Sequence, residues 1–252
     1  MGLFDLFKGK SKSGDNGGGG DKKKSNPAAK WAEAAGSKRA QAYDRQEAIQ
    51  ELCALKSPEA VEALLKRFTF VTDPSITDQE EKDMAFNGIV AVGADAIPPV
   101  RTFAAKAESL SVPLRLMKEL LDEEAYVDEV IALLGKWDTE YAKFIDPKLQ
   151  LLDILEDLKN PKIRPAVEPF LQDFTEQARF NAMKALFAQK EPEAIGPFIA
   201  QMLEEESVRI KSKIADGFIS LGWEIPEEHR DAVRKILPYE YGIDGDGRFT
   251  RR

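Results

Sequence analysis

Cysteine occurs once in this chain, at Cys53, and histidine once, at His229. A single thiol excludes an intrachain disulfide and fits a reducing compartment. Cys53 lies in the apolar run Ile49, Leu52, Cys53, Leu55 and reads as a small buried hydrophobe. One His and one Cys far apart cannot build a multi-histidine metal centre. Ser-His-Asp or Cys-His chemistry would have to pass through His229, which stands at a helix start with no nucleophile motif beside it. A phosphate loop is missing too: residues 17–20 are a glycine run with no strand before it and no Lys-Ser after it. No stretch approaches the ~20 apolar residues that span a bilayer. The apolar opening Met1 to Phe7 is too short for the core of a signal peptide. The expectation is a cytoplasmic chain with no catalytic residues, no cofactor and no metal.

Charge is unevenly distributed. Residues 1–43 carry nine Lys/Arg against four Asp/Glu, while the remainder carries 27 against 40. A body that acidic repels phosphate backbones, so nucleic acid is set aside as a partner. Acidic runs such as Asp122-Glu123-Glu124 and Glu204-Glu205-Glu206 read as solvated helix ends, not acid–base pairs.

What the sequence does contain begins with a short apolar tip. Leu3, Phe4, Leu6 and Phe7 fall on one side of a helical wheel, with Asp5 and Lys8 opposite. The tip is suited to a membrane surface or a partner groove. A myristoylation motif at Gly2 fails because Leu6 stands where Ser or Thr is required. Gly-rich and Lys-rich polar sequence follows, and residues 9–27 read as a disordered linker.

From residue 28 to residue 237 the pattern is helical, and it repeats. Second helices open at Ser57-Pro58-Glu59-Ala60, Gly93-Ala94-Asp95-Ala96, Asn160-Pro161-Lys162-Ile163 and Glu191-Pro192-Glu193-Ala194. Each combines a cap-like or turn residue with an apolar residue about four positions on. Pro99, Pro165 and Pro197 fall in first turns, where a missing N–H costs little. First helices are expected near Asp44, Asp78, Ser111, Asp146, Thr175 and Ser207, with gaps of roughly 28 to 35 residues. One hairpin cannot bury its apolar face alone, so stacked neighbours supply the core. The segment Val112 to Trp137 is irregular, and Thr69 to Asp78 reads as an insert. Residues 238–252 read as a capping tail, with an Asp-Gly hairpin turn at Asp244-Gly245-Asp246-Gly247 preferred to a calcium loop, whose closing acidic ligand is missing. In that reading Arg251 and Arg252 are free.

The repeat resembles the HEAT family, and more narrowly the short HEAT-like repeats of phycobilisome lyases and bacterial scaffold proteins. The resemblance covers about four-fifths of the chain, and it implies an all-α, right-handed α-solenoid of about six helical hairpins. The paired His-Glu motifs of di-iron hydroxylases with such repeats are missing here. Outward residues of the second helices, Lys66, Arg67, Arg101, Lys106, Gln172, Gln201 and Glu204, are the expected contact surface of a non-catalytic protein scaffold. A second reading is a peripheral membrane adaptor docking through Leu3, Phe4, Leu6 and Phe7 at the inner membrane face. A third, from the resemblance alone, is a chromophore-lyase-like subunit.

Overall fold

The computed structural model describes residues 26–252, so the tip residues Leu3, Phe4, Leu6 and Phe7 lie outside the described residues. Those described form thirteen α-helices: α1 (Ala29–Ala35), α2 (Ala42–Leu55), α3 (Pro58–Leu65), α4 (Ser75–Val90), α5 (Ile97–Ala104), α6 (Ser111–Leu120), α7 (Glu123–Leu134), α8 (Asp146–Asp157), α9 (Ile163–Val167), α10 (Glu176–Gln189), α11 (Ile195–Glu204), α12 (Val208–Leu221) and α13 (Arg230–Ile236). A single small antiparallel hairpin closes the chain, with β1 (Tyr241–Ile243) paired to β2 (Phe249–Arg251). No helix among the described residues is long and apolar enough to cross a membrane.

Local chemistry explains where the helices begin. Ser57 Oγ accepts the Ala60 N–H, Asp122 Oδ1 the Ala125 N–H and Ser207 Oγ the Ile210 N–H, so α3, α7 and α12 start on side-chain caps. Pro99, Pro165 and Pro197 are each the third residue of their helix, where no intrahelical partner for an N–H exists. The turns after α2 and α10 share a device. Lys56 and Lys190 take left-handed φ values of 45° and 61°, each followed within two residues by a Pro-Glu-Ala opening.

Helices pack on their sequence neighbours, as α1 does on α2, α2 on α3, α5 on α6 and α7 on α8, and many also pack on a helix two apart. Helix α2 packs on α4, α4 on α6, α8 on α10 and α10 on α12; α3 packs on α5, α7 on α9 and α11 on α13. Between these helices lies a core of Ile49, Leu52, Leu64, Ile89, Leu114, Met117, Leu151, Leu186, Phe198 and Phe218, all fully buried or nearly so. At the C-terminal end the rings become dense. Phe187 stacks on Phe198 with centroids 4.1 Å apart, Trp223 meets Phe218 edge-on at 5.4 Å, and Phe249 from β2 does the same at 5.4 Å.

Several expectations are revised by the structure. The start of the helical pattern divides into α1 and α2, because the chain turns through residues 36–41, and Tyr43 in the first turn of α2 is 75% exposed. The irregular third unit consists of two ordinary helices, α6 and α7, separated by the Asp122 cap. The insert is shorter than expected, since α4 already starts at Ser75 and holds Asp78 in its first turn. Two second helices begin later than read, each preceded by a 3-10 turn, Gly93–Ala96 and Pro192–Ala194. Cys53 is half-buried, its Sγ donating to the Met84 carbonyl, and burial pushes the thiol pKa up. Arg251 is not free: its Nη2 donates to Asp216 Oδ1 at 2.7 Å, beside the Tyr241 hydroxyl on the same oxygen at 2.8 Å. The Asp244 carboxylate is engaged by the N–H groups of Asp246 and Arg248 at 3.0 and 2.8 Å, which forms the hairpin turn and lowers its pKa.

Candidate functional site

Among the described residues, charged side chains are buried at three places, each where helices meet. At the first, Arg45 of α2 donates Nε and Nη2 to the two oxygens of Glu81 at 2.8 and 2.9 Å. Arg67, in the 3-10 turn after α3, donates Nε to Glu81 Oε2 at 2.6 Å and Nη2 to Asp78 Oδ1 at 2.7 Å. Burial penalises the charged form of Asp78, but Lys82, Arg67 and the Thr72 N–H outweigh it and hold its pKa far below the usual carboxylate range. At the second junction Lys148 of α8 donates to Asp173 Oδ2 at 2.6 Å, with both side chains fully enclosed. At the third, Arg179 of α10 grips both Glu205 oxygens at 2.8 and 2.9 Å. Burial opposes ionisation of Glu205 as well, yet Arg179 and the Ser207 N–H bring its pKa below the ordinary value.

The last two junctions follow one rule. Asp173 and Glu205 each stand two residues ahead of the N-cap of the next first helix, whose cap N–H groups, at Thr175 and Ser207, they accept at 2.8 and 2.9 Å. One carboxylate thus closes the incoming helix and holds a cation of the preceding one. Each oxygen of these carboxylates accepts at least one hydrogen bond, an arrangement that fixes the geometry of the helices it joins. Among buried side-chain atoms of the described residues, Gln201 Oε1 alone lacks a hydrogen-bond partner. No group of three His, Cys, Asp or Glu residues is placed among them to hold a metal.

The structure corrects two members of the expected contact surface. Arg67 is 0% exposed, because it continues the buried stripe of α3, three, four and seven residues after Leu64, Ala63 and Ala60, and meets Glu81 and Asp78 there; Gln201 is 3% exposed and donates to Glu205 at 2.6 Å. The remaining five are exposed. Arg101 reaches across to Glu129 of α7 as an ion pair, and Glu204 lies at the C-terminal end of α11. Gln172 lines an open groove of about 430 Å³ between the segment after α9 and α11, together with Pro165 and Pro197. Arg164 of that groove is already paired, to Glu191 at 2.7 Å and to Glu168 at 3.1 Å.

Lys66 and Lys106 come together on a larger feature, a groove of about 770 Å³ between α3, α5 and the start of α6. Its floor is apolar: Leu65, Phe68, Pro99, Phe103, Val112 and Pro113. Its rim carries Lys66 and Lys106 together with Glu62 and Glu108, two cations and two anions. Sequence reading found the lysines and missed the floor. A signal was present, since Phe68 and Phe103 are 35 residues apart, as are Lys66 and Arg101. Phe68 follows α3 and Phe103 lies in α5, and both line this groove. A cleft of this size with an apolar floor and charges of both signs around it can enclose two or three large apolar side chains of a peptide segment while its polar groups stay wet. Compared with protein-family models the chain matches none, and no curated protein matches it either.

Proposed function

We propose that the chain is a HEAT-like α-solenoid acting as a non-catalytic scaffold, and that it takes an apolar peptide segment of a partner protein into the groove between α3, α5 and α6. The observation that carries this reading is the groove itself. It is a concave surface of about 770 Å³ with an apolar floor, whereas the buried charged groups are tied into ion pairs between helices. Its position between second helices of consecutive hairpins supports the solenoid reading, because stacked units create such clefts at each repeat. The balanced rim favours a segment with charges of both signs over a polyanion or a run of basic residues.

The test uses exposed residues, so that folding is preserved. Thr102→Arg with Lys106→Glu fills and recharges the groove. Full-length parent and variant, matched in circular dichroism and melting temperature, are used to capture partners from native lysate. The expected result is a protein captured by the parent and lost by the variant. Equal capture by both, or capture by neither, refutes the groove as the working surface.

A further inference from the structure

We infer that the groove between α3, α5 and α6 is occupied by the chain's own segment Leu3–Phe7, which competes there with the partner. This rests on the groove being a site for apolar segments and names one such segment and what it regulates. Three observations carry it. First, Leu3-Phe4-Asp5-Leu6-Phe7-Lys8 has the chemistry that the groove asks for, with four large apolar side chains and one charge of each sign next to them. Helical spacing sets Leu3, Phe4 and Phe7 on one face, opposite Asp5 and Lys8, so an apolar face can enter while the charges meet Lys and Glu at the rim.

Second, the described chain begins beside the groove. Helix α1 packs on α3, and a Cβ built on Gly36, just past α1, would lie 3.2 Å from the Lys66 Cβ at the groove rim. At about 1.5 Å per helical residue, Asn26 starts on the order of 15 Å from that rim. Third, the tether has the right length. Residues 8–25 are rich in glycine and lysine, and a chain of that composition has a root-mean-square span of about 21–25 Å. A short tether whose span exceeds the distance only modestly gives an effective concentration in the mM range, so a contact with a Kd of about 1 mM is filled roughly half the time without any second molecule. A free partner must then displace the segment.

The experiment keeps the full chain. In a Cys53→Ser background, Asp5→Cys carries a nitroxide label, and the amide signals of Thr102, Lys106 and Ser111 are compared with the label oxidised and reduced. The expected result is a loss of about half or more of those signals, with α10 to α12 unaffected, and recovery when Phe4→Ser and Phe7→Ser are added. Uniform weak broadening that is indifferent to Phe4 and Phe7 overturns the inference. Loss of signal on an isotope-labelled chain mixed with a separate nitroxide-labelled chain also overturns it, because the occupant is then a second copy. If the groove signals stay intact while phosphatidylglycerol–phosphatidylcholine vesicles immobilise the nitroxide, the segment meets lipid and the inference fails. Lysate capture separates the two claims: the Phe4→Ser, Phe7→Ser chain is expected to capture more partner than the parent. If Thr102→Arg with Lys106→Glu still abolishes capture while the nitroxide leaves the groove untouched, only the self-occupancy falls.

Discussion

Replacing Glu81 by glutamine tests whether the buried charges hold the hairpins together. The substitution keeps the shape of the side chain and removes one negative charge. Glu81 and Arg67 are 0% exposed and Arg45 is 2% exposed, and the two guanidiniums direct three hydrogen bonds at the one carboxylate. In Glu81→Gln, two cations face a neutral amide whose NH2 group points donors at donors. Removing one partner of a buried ion pair costs about 3–5 kcal/mol. For a chain of this length 1 kcal/mol moves the melting temperature by about 2–4 °C, so the expected decrease is roughly 6–20 °C. The assay is a thermal melt followed by helical circular dichroism at pH 7. Lys162→Ala serves as the comparison. Its amine pairs with Glu124 and Asp128, which pushes its pKa up to about 12, but its side chain is 47% exposed and its melt should coincide with the parent's. A Glu81→Gln melt within about 2 °C of the parent would refute the argument.

Two further outcomes follow from packing and charge. A Cβ on Gly217 of α12 would lie 2.2 Å from Phe187 Cζ, and that ring is hemmed in by Phe198, Phe218 and Trp223, so Gly217→Ala is expected to cost about 1–3 kcal/mol in a denaturant melt. Adding Phe187→Leu should return part of the loss; full tolerance of Gly217→Ala alone would show that the α10–α12 contact is looser than described. Asp78 and Glu205 both have folded pKa values below their ordinary ones, so their contribution to stability is present in full above about pH 4–5 and is lost as pH falls toward the folded values. The melting temperature should be level from pH 7 to pH 5 and drop toward pH 3, with a shallower drop in Asp78→Asn, Glu205→Gln; an equal drop in that variant would assign the acid sensitivity elsewhere.

The helical plan was legible because its signals are local. Ser111 and Asp146 are the first residues of α6 and α8, and Thr175 and Ser207 are the N-caps of α10 and α12, all as the spacing of caps and apolar residues predicts. A cap needs only its own next turn to be recognised. The buried charges were not legible. Lys148 in Asp146-Pro147-Lys148 looks like any lysine near a helix start, and Arg67, although it continues the buried stripe of α3 three and seven residues after Leu64 and Ala60, reads as a solvated side chain because it is charged. Whether each is wet or buried depends on an acid elsewhere in sequence, Asp173 for one and Glu81 for the other. The groove was half legible for the same reason: its lysines stand out singly, whereas its floor exists only once Phe68, Phe103 and Val112 are brought together from three helical segments.

The buried charges flank a gap. Residues 26–81 hold one set and residues 148–205 the others, while α5, α6 and α7 between them hold no buried charged side chain, their ion pairs (Arg101 with Glu129, Lys162 with Glu124 and Asp128) lying at the surface. Ion pairs and N–H caps are directional and lock neighbouring helices in angle and register, whereas apolar faces resist parting but permit small lateral slip. The described residues are therefore braced from within at two places, residues 45–81 and 148–205, and only at the surface between them. The groove opens at the edge of that unbraced stretch, between α3, α5 and α6, so a segment seated there would meet helices that no buried ion pair ties together.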